Sequence, residues 1–127
     1  AALLICALLE TSMIREFLDI AASVGLDVLV EAHDESEVES ALNAGAEIIG
    51  VNNRNLKDFS VDLQNSLRLR SLVPRDKIFV SESGITCAAD IKLLRTAGVN
   101  GVLIGEMLMR SNNITLDLQR LSGEMND

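Results

Sequence analysis

Short apolar runs that end in small or polar residues alternate along this chain with stretches whose apolar residues recur every third or fourth position. Leu3 to Leu8 is the first such run and reads as a buried strand. Thr11 or Ser12 then stands where it can cap a helix with Ile14, Phe17, Leu18 and Ala21 on one face, closed by Gly25. Val28 to Ala32 predicts a second strand. Asp34 and Glu37 have capping-box spacing ahead of Val38, Ala41 and Leu42, with Gly45 as the stop. Ile48 to Asn52 predicts the third strand. A longer polar loop, Asn53 to Ser60, follows. Asp62 is then placed to cap a helix carrying Leu63, Leu67 and Leu69 towards Pro74. The fourth strand is Ile78 to Ser81, and Thr86 is the expected cap of a helix carrying Ile91, Leu93 and Leu94 that Gly98 closes. Val102 to Ile104 is the fifth strand, followed by a short segment from Glu106 to Arg110 and an amphipathic helix from Ile114 to Leu121.

The repeat is helix, glycine stop, buried strand, and it shows weakly in the residues themselves. Ala41-Leu42-Asn43-Ala44-Gly45 before the third strand resembles Leu94-Arg95-Thr96-Ala97-Gly98 before the fifth. Strands alternating with helices imply a parallel sheet, and its functional edge is the carboxyl ends of the strands. Glu31, Asn52, Ser83 and Gly105 sit there. Five such units fit either a small doubly wound sheet or an incomplete piece of an eight-stranded barrel. Barrels often bind phosphate between the loops after their last two strands and a short extra helix. Ser83-Gly84 and Gly105-Glu106 fit that arrangement as a phosphate cradle. On that reading the last two strands are the seventh and eighth of a barrel. The chain, which opens inside a strand, is then expected to lack the first three and to form one partial domain over residues 1–127.

Composition narrows the class. With 127 residues, 48% of them hydrophobic, the chain has enough apolar material for one core. Aromatics are 2%, so the core is built from Leu, Ile, Val and Ala, as in sheets covered by helices. A net charge of −8 without a basic run disfavours nucleic acid and anionic membranes as partners, so any bound anion must be held locally. The apolar start is shorter than a membrane span and lacks a signal peptide's basic flank. Cys6 and Cys87 show no metal-type spacing and read as reduced thiols of a cytoplasmic protein.

Four segments carry a more specific likeness: Val30-Glu31-Ala32-His33-Asp34, Ile49-Gly50-Val51-Asn52-Asn53-Arg54-Asn55-Leu56, Val80-Ser81-Glu82-Ser83-Gly84-Ile85, and Leu103-Ile104-Gly105-Glu106-Met107-Leu108-Met109-Arg110. In order and spacing, from about Ala2 to Arg110, they resemble indole-3-glycerol phosphate synthase of tryptophan biosynthesis. The resemblance implies the carboxyl-terminal five strands of a (β/α)8 TIM barrel. It also implies a decarboxylating lyase that closes the indole ring of 1-(2-carboxyphenylamino)-1-deoxyribulose 5-phosphate, losing carbon dioxide and water, without metal or organic cofactor. Glu31 matches a glutamate that acts in acid-base chemistry, Asn52 an asparagine that holds substrate hydroxyls, Arg54 an arginine that orders the site, and Glu82 a carboxylate facing the catalytic centre. Ser83, Gly84, Gly105 and Glu106 match the phosphate-binding positions, the Glu106 side chain being expected to point away from the anion.

The departure from that family is large, because its catalytic lysines lie on the early strands. Lys57, Lys77 and Lys92 are placed in a loop, at a strand's start and on a helix. The expectation is that this chain alone is inactive, and that it self-associates or joins the missing amino-terminal half to cover its open edges. A non-catalytic phosphate-binding or interaction half-barrel, or another phosphosugar barrel such as an isomerase, is the alternative. His33 is expected to be structural or solvent-facing, Met107 and Met109 to be packing residues, and Asn52-Asn53 taken alone is ordinary turn chemistry.

Overall fold

A computed structural model describes residues 1–123. Its strands are β1 (Ala2–Ile5), β2 (Val28–Ala32), β3 (Ile48–Asn52), β4 (Ile78–Glu82) and β5 (Gly101–Leu103). The helices are α1 (Thr11–Ser23), α2 (Glu35–Ala44), α3 (Gln64–Arg70), α4 (Ala88–Thr96), α5 (Glu106–Met109) and α6 (Ile114–Ser122). The strands form one parallel sheet in the order β1-β2-β3-β4-β5. A doubly wound sheet reverses its order partway and carries helices on both faces. Strictly sequential order, with the usual right-handed crossovers, sends every helix to one face. The fold is therefore a partial α/β barrel.

The register shows what each face does. Leu4, Val30, Ile49 and Phe79 lie in one cross-strand row. They pack with Ile14 of α1, Val38 and Ala41 of α2 and Leu69 of α3 in a closed core. Alternate residues point the other way. On that inner face Leu3, Ile78 and Leu103 are 48%, 47% and 51% exposed, so the face that a barrel would enclose is uncovered. A smaller core of Ile85, Leu94 and Leu121 anchors α4 and α6 beside β5.

Local chemistry sets most element ends. The Asp34 carboxylate accepts from the Glu37 N–H at 2.8 Å, and Gly45 closes α2 with φ +94°. Asp62 accepts from the Gln64 N–H at 2.9 Å at the start of α3, although Leu63 holds the cap position. The first strand is shorter than its apolar run, because a 3-10 turn at Cys6–Leu8, with the Leu9 N–H donating to the Cys6 carbonyl, buries Cys6 and leaves Leu8 exposed. Thr11 and Ser12 lie inside α1, and Thr11 Oγ1 hydrogen-bonds Ser40 Oγ of α2 at 2.5 Å. Thr86 does not cap α4. Cys87 holds that position, and Asp90 reaches back to accept from the Thr86 N–H and hydroxyl at 3.0 and 3.2 Å.

Candidate active site at the carboxyl edge of the sheet

The chemistry-bearing residues gather in two places. On the inner face, Ile5, Glu31, Gly50, Val80 and Gly101 stand in one row, and Asn52, Glu82 and Leu103 in the next towards the carboxyl edge. Glu31 and Glu82 are both buried, at 7% and 2% exposure, although they sit on the uncovered face of the sheet. Burial is the largest influence on Glu82, followed by the hydrogen bond and the negative charge from Glu31. Together they push its carboxyl up to about 9. The burial and the neighbouring Glu31 thus favour the neutral form of Glu82. His33 extends the line, with Nε2 4.0 Å from Glu31 Oε2 and Nδ1 3.3 Å from Glu37 Oε1. It is half-buried between two carboxylates, and its Nε2 lacks a hydrogen-bond partner among the described residues.

The second place is the turn after β4 and the start of α5. Ser83 and Gly84 both take positive φ, +71° and +79°. A Cβ on Gly84 would stand 2.3 Å from Val61 Cγ1, so glycine is required by space as well as by conformation. The Ser83 N–H donates to the Leu103 carbonyl at 3.3 Å and is used in joining β4 to β5. Among the described residues the N–H groups of Gly84, Ile85, Gly105 and Glu106 have no protein acceptor. These four residues line a cavity of ≈ 650 Å³ together with Arg54 and Arg110. Glu106 lines it too, and its carboxylate pairs with Arg54 and, at 3.0 Å, with Arg110.

Arg54 lines this cavity, and with Asn52, His33 and Glu37 it also lines a second one of ≈ 960 Å³. Asn52 Oδ1 accepts from the Arg54 N–H at 2.9 Å, which holds the turn after β3. An isolated antiparallel bridge between Arg54 and Val61 closes the polar loop that follows. Lys57, in that loop, lines a cavity with Asn52 and Arg54, whereas Lys77 precedes β4 and pairs with Glu47 at 3.0 Å, and Lys92 is on α4. No group of three or more His, Cys, Asp or Glu residues suited to a metal ion occurs among the described residues. No helix among them is long and apolar enough to cross a membrane.

Asn53, ordinary turn chemistry by sequence, is the polar centre that joins these parts. Its side-chain amide donates to Ser81 Oγ at 3.0 Å and to the Ser83 carbonyl at 3.1 Å. Its Oδ1 accepts from the Ser66 N–H and Oγ at 3.0 and 2.7 Å, and Ser66 Oγ meets Ser81 Oγ at 2.7 Å. Four bonds from one buried amide fix the turn after β4 against α3. Asn65 does similar work nearby, donating to the carbonyls of His33 and Asn52 at 3.0 and 3.1 Å. Met107 packs against the smaller core as expected, whereas Met109 is 86% exposed.

Strand order and the position of these groups define the class: part of a TIM-type α/β barrel with its polar residues at the carboxyl ends of the strands. Solved structures agree on the fold. The chain aligns with the structure titled "Native KDPGal structure" at a TM-score of 0.62 and 21% identity, covering 90% of this chain and 52% of that one. With the YdjI aldolase from Escherichia coli K12 the TM-score is again 0.62 at 20% identity, over 86% and 45% of the two chains. Residues 1–121 match the family model for indole-3-glycerol phosphate synthase, and the chain belongs to that family. It is 60% identical over 121 residues to the indole-3-glycerol phosphate synthase of Ruminiclostridium cellulolyticum, covering 95% of this chain and 46% of the relative. The enzyme of that name from Endomicrobium trichonymphae is 59% identical, with coverages of 95% and 47%. The chain thus spans about half the length of the curated relatives it matches.

Proposed function

We propose that this chain forms the carboxyl-terminal part of a cytoplasmic indole-3-glycerol phosphate synthase, gripping the phosphate end of the substrate while Glu31 and Glu82 face the reacting carbons. The observation that carries the reading is the placing of Glu31 with Glu82 on the inner face, beside a cavity lined by residues whose N–H groups have no protein acceptor. Ring closure followed by loss of water requires proton movement at the reacting carbons. Two neighbouring carboxyls, of which Glu82 is pushed towards its neutral form, supply an acceptor and a donor side by side. Glu31 takes the acid-base role and Glu82 tunes it, while Asn52 and Arg54 order the sugar. The backbone N–H groups of Gly84, Gly105 and Glu106 are the phosphate donors, with Ser83 shaping the turn. Because α5 is four residues long, these individual N–H groups contribute more than a helix dipole does. Glu106 answers the problem of its own charge by neutralising it on Arg54 and Arg110.

The uncovered face takes the remaining strands of the barrel. Apolar residues stand exposed on the inner face, and at both flanks: Phe17 and Ile20 on α1, Ile114 and Leu118 on α6. On this reading the early strands also supply the lysine acid, since Lys57 stands in a loop, Lys77 before β4 and Lys92 on α4, none of them on the carboxyl end of a strand.

The test is an activity assay with 1-(2-carboxyphenylamino)-1-deoxyribulose 5-phosphate. The chain is assayed alone and together with the amino-terminal half of the Ruminiclostridium cellulolyticum relative. Product is expected only from the mixture. Turnover by the 127-residue chain alone, or silence from a mixture shown to assemble, would overturn the reading.

A further inference from the structure

We propose that Gly50 is a positioning residue: by having no side chain at the middle of β3, it leaves open the space through which the Glu82 carboxyl of β4 crosses to Glu31 of β2. A Cβ built on Gly50 would stand 2.2 Å from Glu82 Oε1, 3.1 Å from Glu82 Cδ and 3.0 Å from Leu29 Cδ1. Gly50 is directly opposite Glu31 on one side and Val80 on the other. Glu82 starts one inward-facing position further along β4, so its side chain must lean back over β3 to reach its partner. The backbone does not demand glycine here, since Gly50 is absent from the positive-φ positions of the chain. Space alone demands it.

The surroundings leave the two carboxyls to each other. Glu31, from β2, is the charged group that acts on Glu82. Behind Glu31 stands His33, itself held towards Glu37. From β3 comes the neutral Asn52, whose Oδ1 is engaged by the Arg54 N–H, and from β5 comes Leu103, opposite Glu82. Glu82 Oε1 is buried over Gly50 without a hydrogen-bond partner among the described residues, as expected for an atom filling reserved space. The atoms in the way of a larger residue are the end of a flexible side chain. A methyl group at position 50 therefore displaces the Glu82 carboxyl and separates the pair, while the sheet stays intact.

This inference rests on the proposal that Glu31 and Glu82 belong to the active site, but its test reads the pair and not turnover. The glutamate side-chain carboxyls of the chain are titrated by carbon-13 NMR between about pH 4 and 10, a range spanning ordinary and raised carboxyl values, in the wild type and in Gly50→Ala. The wild type is expected to show one carboxyl titrating far above the others and absent from Glu82→Gln. In Gly50→Ala that midpoint is expected to fall by about 1 pH unit or more as contact with Glu31 is lost. Thermal melts supply a second reading: Gly50→Ala should lower Tm clearly less in a Glu82→Ala background than beside Glu82. An unmoved midpoint in Gly50→Ala, a wild type without a raised carboxyl, or equal Tm losses in both backgrounds would each overturn it. So would a Gly50→Ala/Glu82→Ala variant that fails to fold. Failure of the activity assay with an intact carboxyl pair would leave this inference standing and count against the proposed function alone.

Discussion

The carboxyl pair and the turn after β4 lie at the same edge of one sheet, yet they are built on different principles. Glu31 and Glu82 depend on what is missing between them, a side chain on β3, and on burial that pushes Glu82 towards its neutral form. The turn at Ser83-Gly84 depends on backbone shape, held by Asn53 from below and by Val61 pressed against Gly84. One half of the site is therefore sensitive to charge and pH, and the other to conformation. The two should fail separately.

Gly84→Val breaks the comparison on the conformational side and should have the largest effect. It forces a β-branched residue to φ +79° and drives it into Val61, a loss of about 3 kcal/mol in urea unfolding. Next comes Asn53→Ala. It strips partners from Ser66, Ser81 and the Ser83 carbonyl in a buried setting and should cost about 2 kcal/mol, seen as a lower urea midpoint with an unchanged slope.

Glu82→Gln tests the charge side. The Glu82 carboxyl is raised in the folded chain from 4.5 to about 9, so between those values the folded state holds a proton that the unfolded state has released. Its contribution is full below about pH 4.5 and is lost as pH rises towards 9. Glutamine keeps a donor and removes the titration. The Tm of the variant should match the wild type near pH 5 and exceed it progressively up to pH 9, and a constant difference would contradict the assignment. Glu106→Gln sharpens the other half: with one negative charge gone and Arg54 and Arg110 released, inorganic phosphate should bind about threefold more tightly by calorimetry. Smallest of all, Lys77→Ala removes an ion pair whose Glu47 side chain is 76% exposed, and should change stability by less than about 0.5 kcal/mol.

Much of the fold was legible because each β-α unit carries its own punctuation. Val28 to Ala32 and Ile48 to Asn52 are strands with those very bounds, and Asp34 and Gly45 cap and close α2 as their residue types imply. The first apolar run misled because hydrophobicity does not distinguish a strand from a buried 3-10 turn when both must cover the same core. Thr86 misled because Asp90, a stronger acceptor four residues on, turns back to take the N–H and hydroxyl at that point. In the site, Glu31 and Glu82 were legible as candidates but their contact was not, since it depends on register across three strands. Gly50 did carry a signal, as a glycine inside a strand often marks a close approach. Asn53 carried none, because the same Asn-Asn pair suits an ordinary exposed turn and only the packed fold makes it a four-bond centre.

The Asn53 amide also bears on how the chain opens. Its bonds join the end of β3, the first turn of α3 and the turn after β4, three segments that would otherwise fluctuate on their own. The Ser66 N–H, held by this amide, should therefore exchange with solvent far more slowly than the N–H groups of Gly84 and Gly105, which have no protein acceptor. In most enzymes the loops around the chemistry are the first to breathe. Here the Asn53 amide is expected to give part of that edge the protection of a core element, while the N–H groups left open beside it exchange freely.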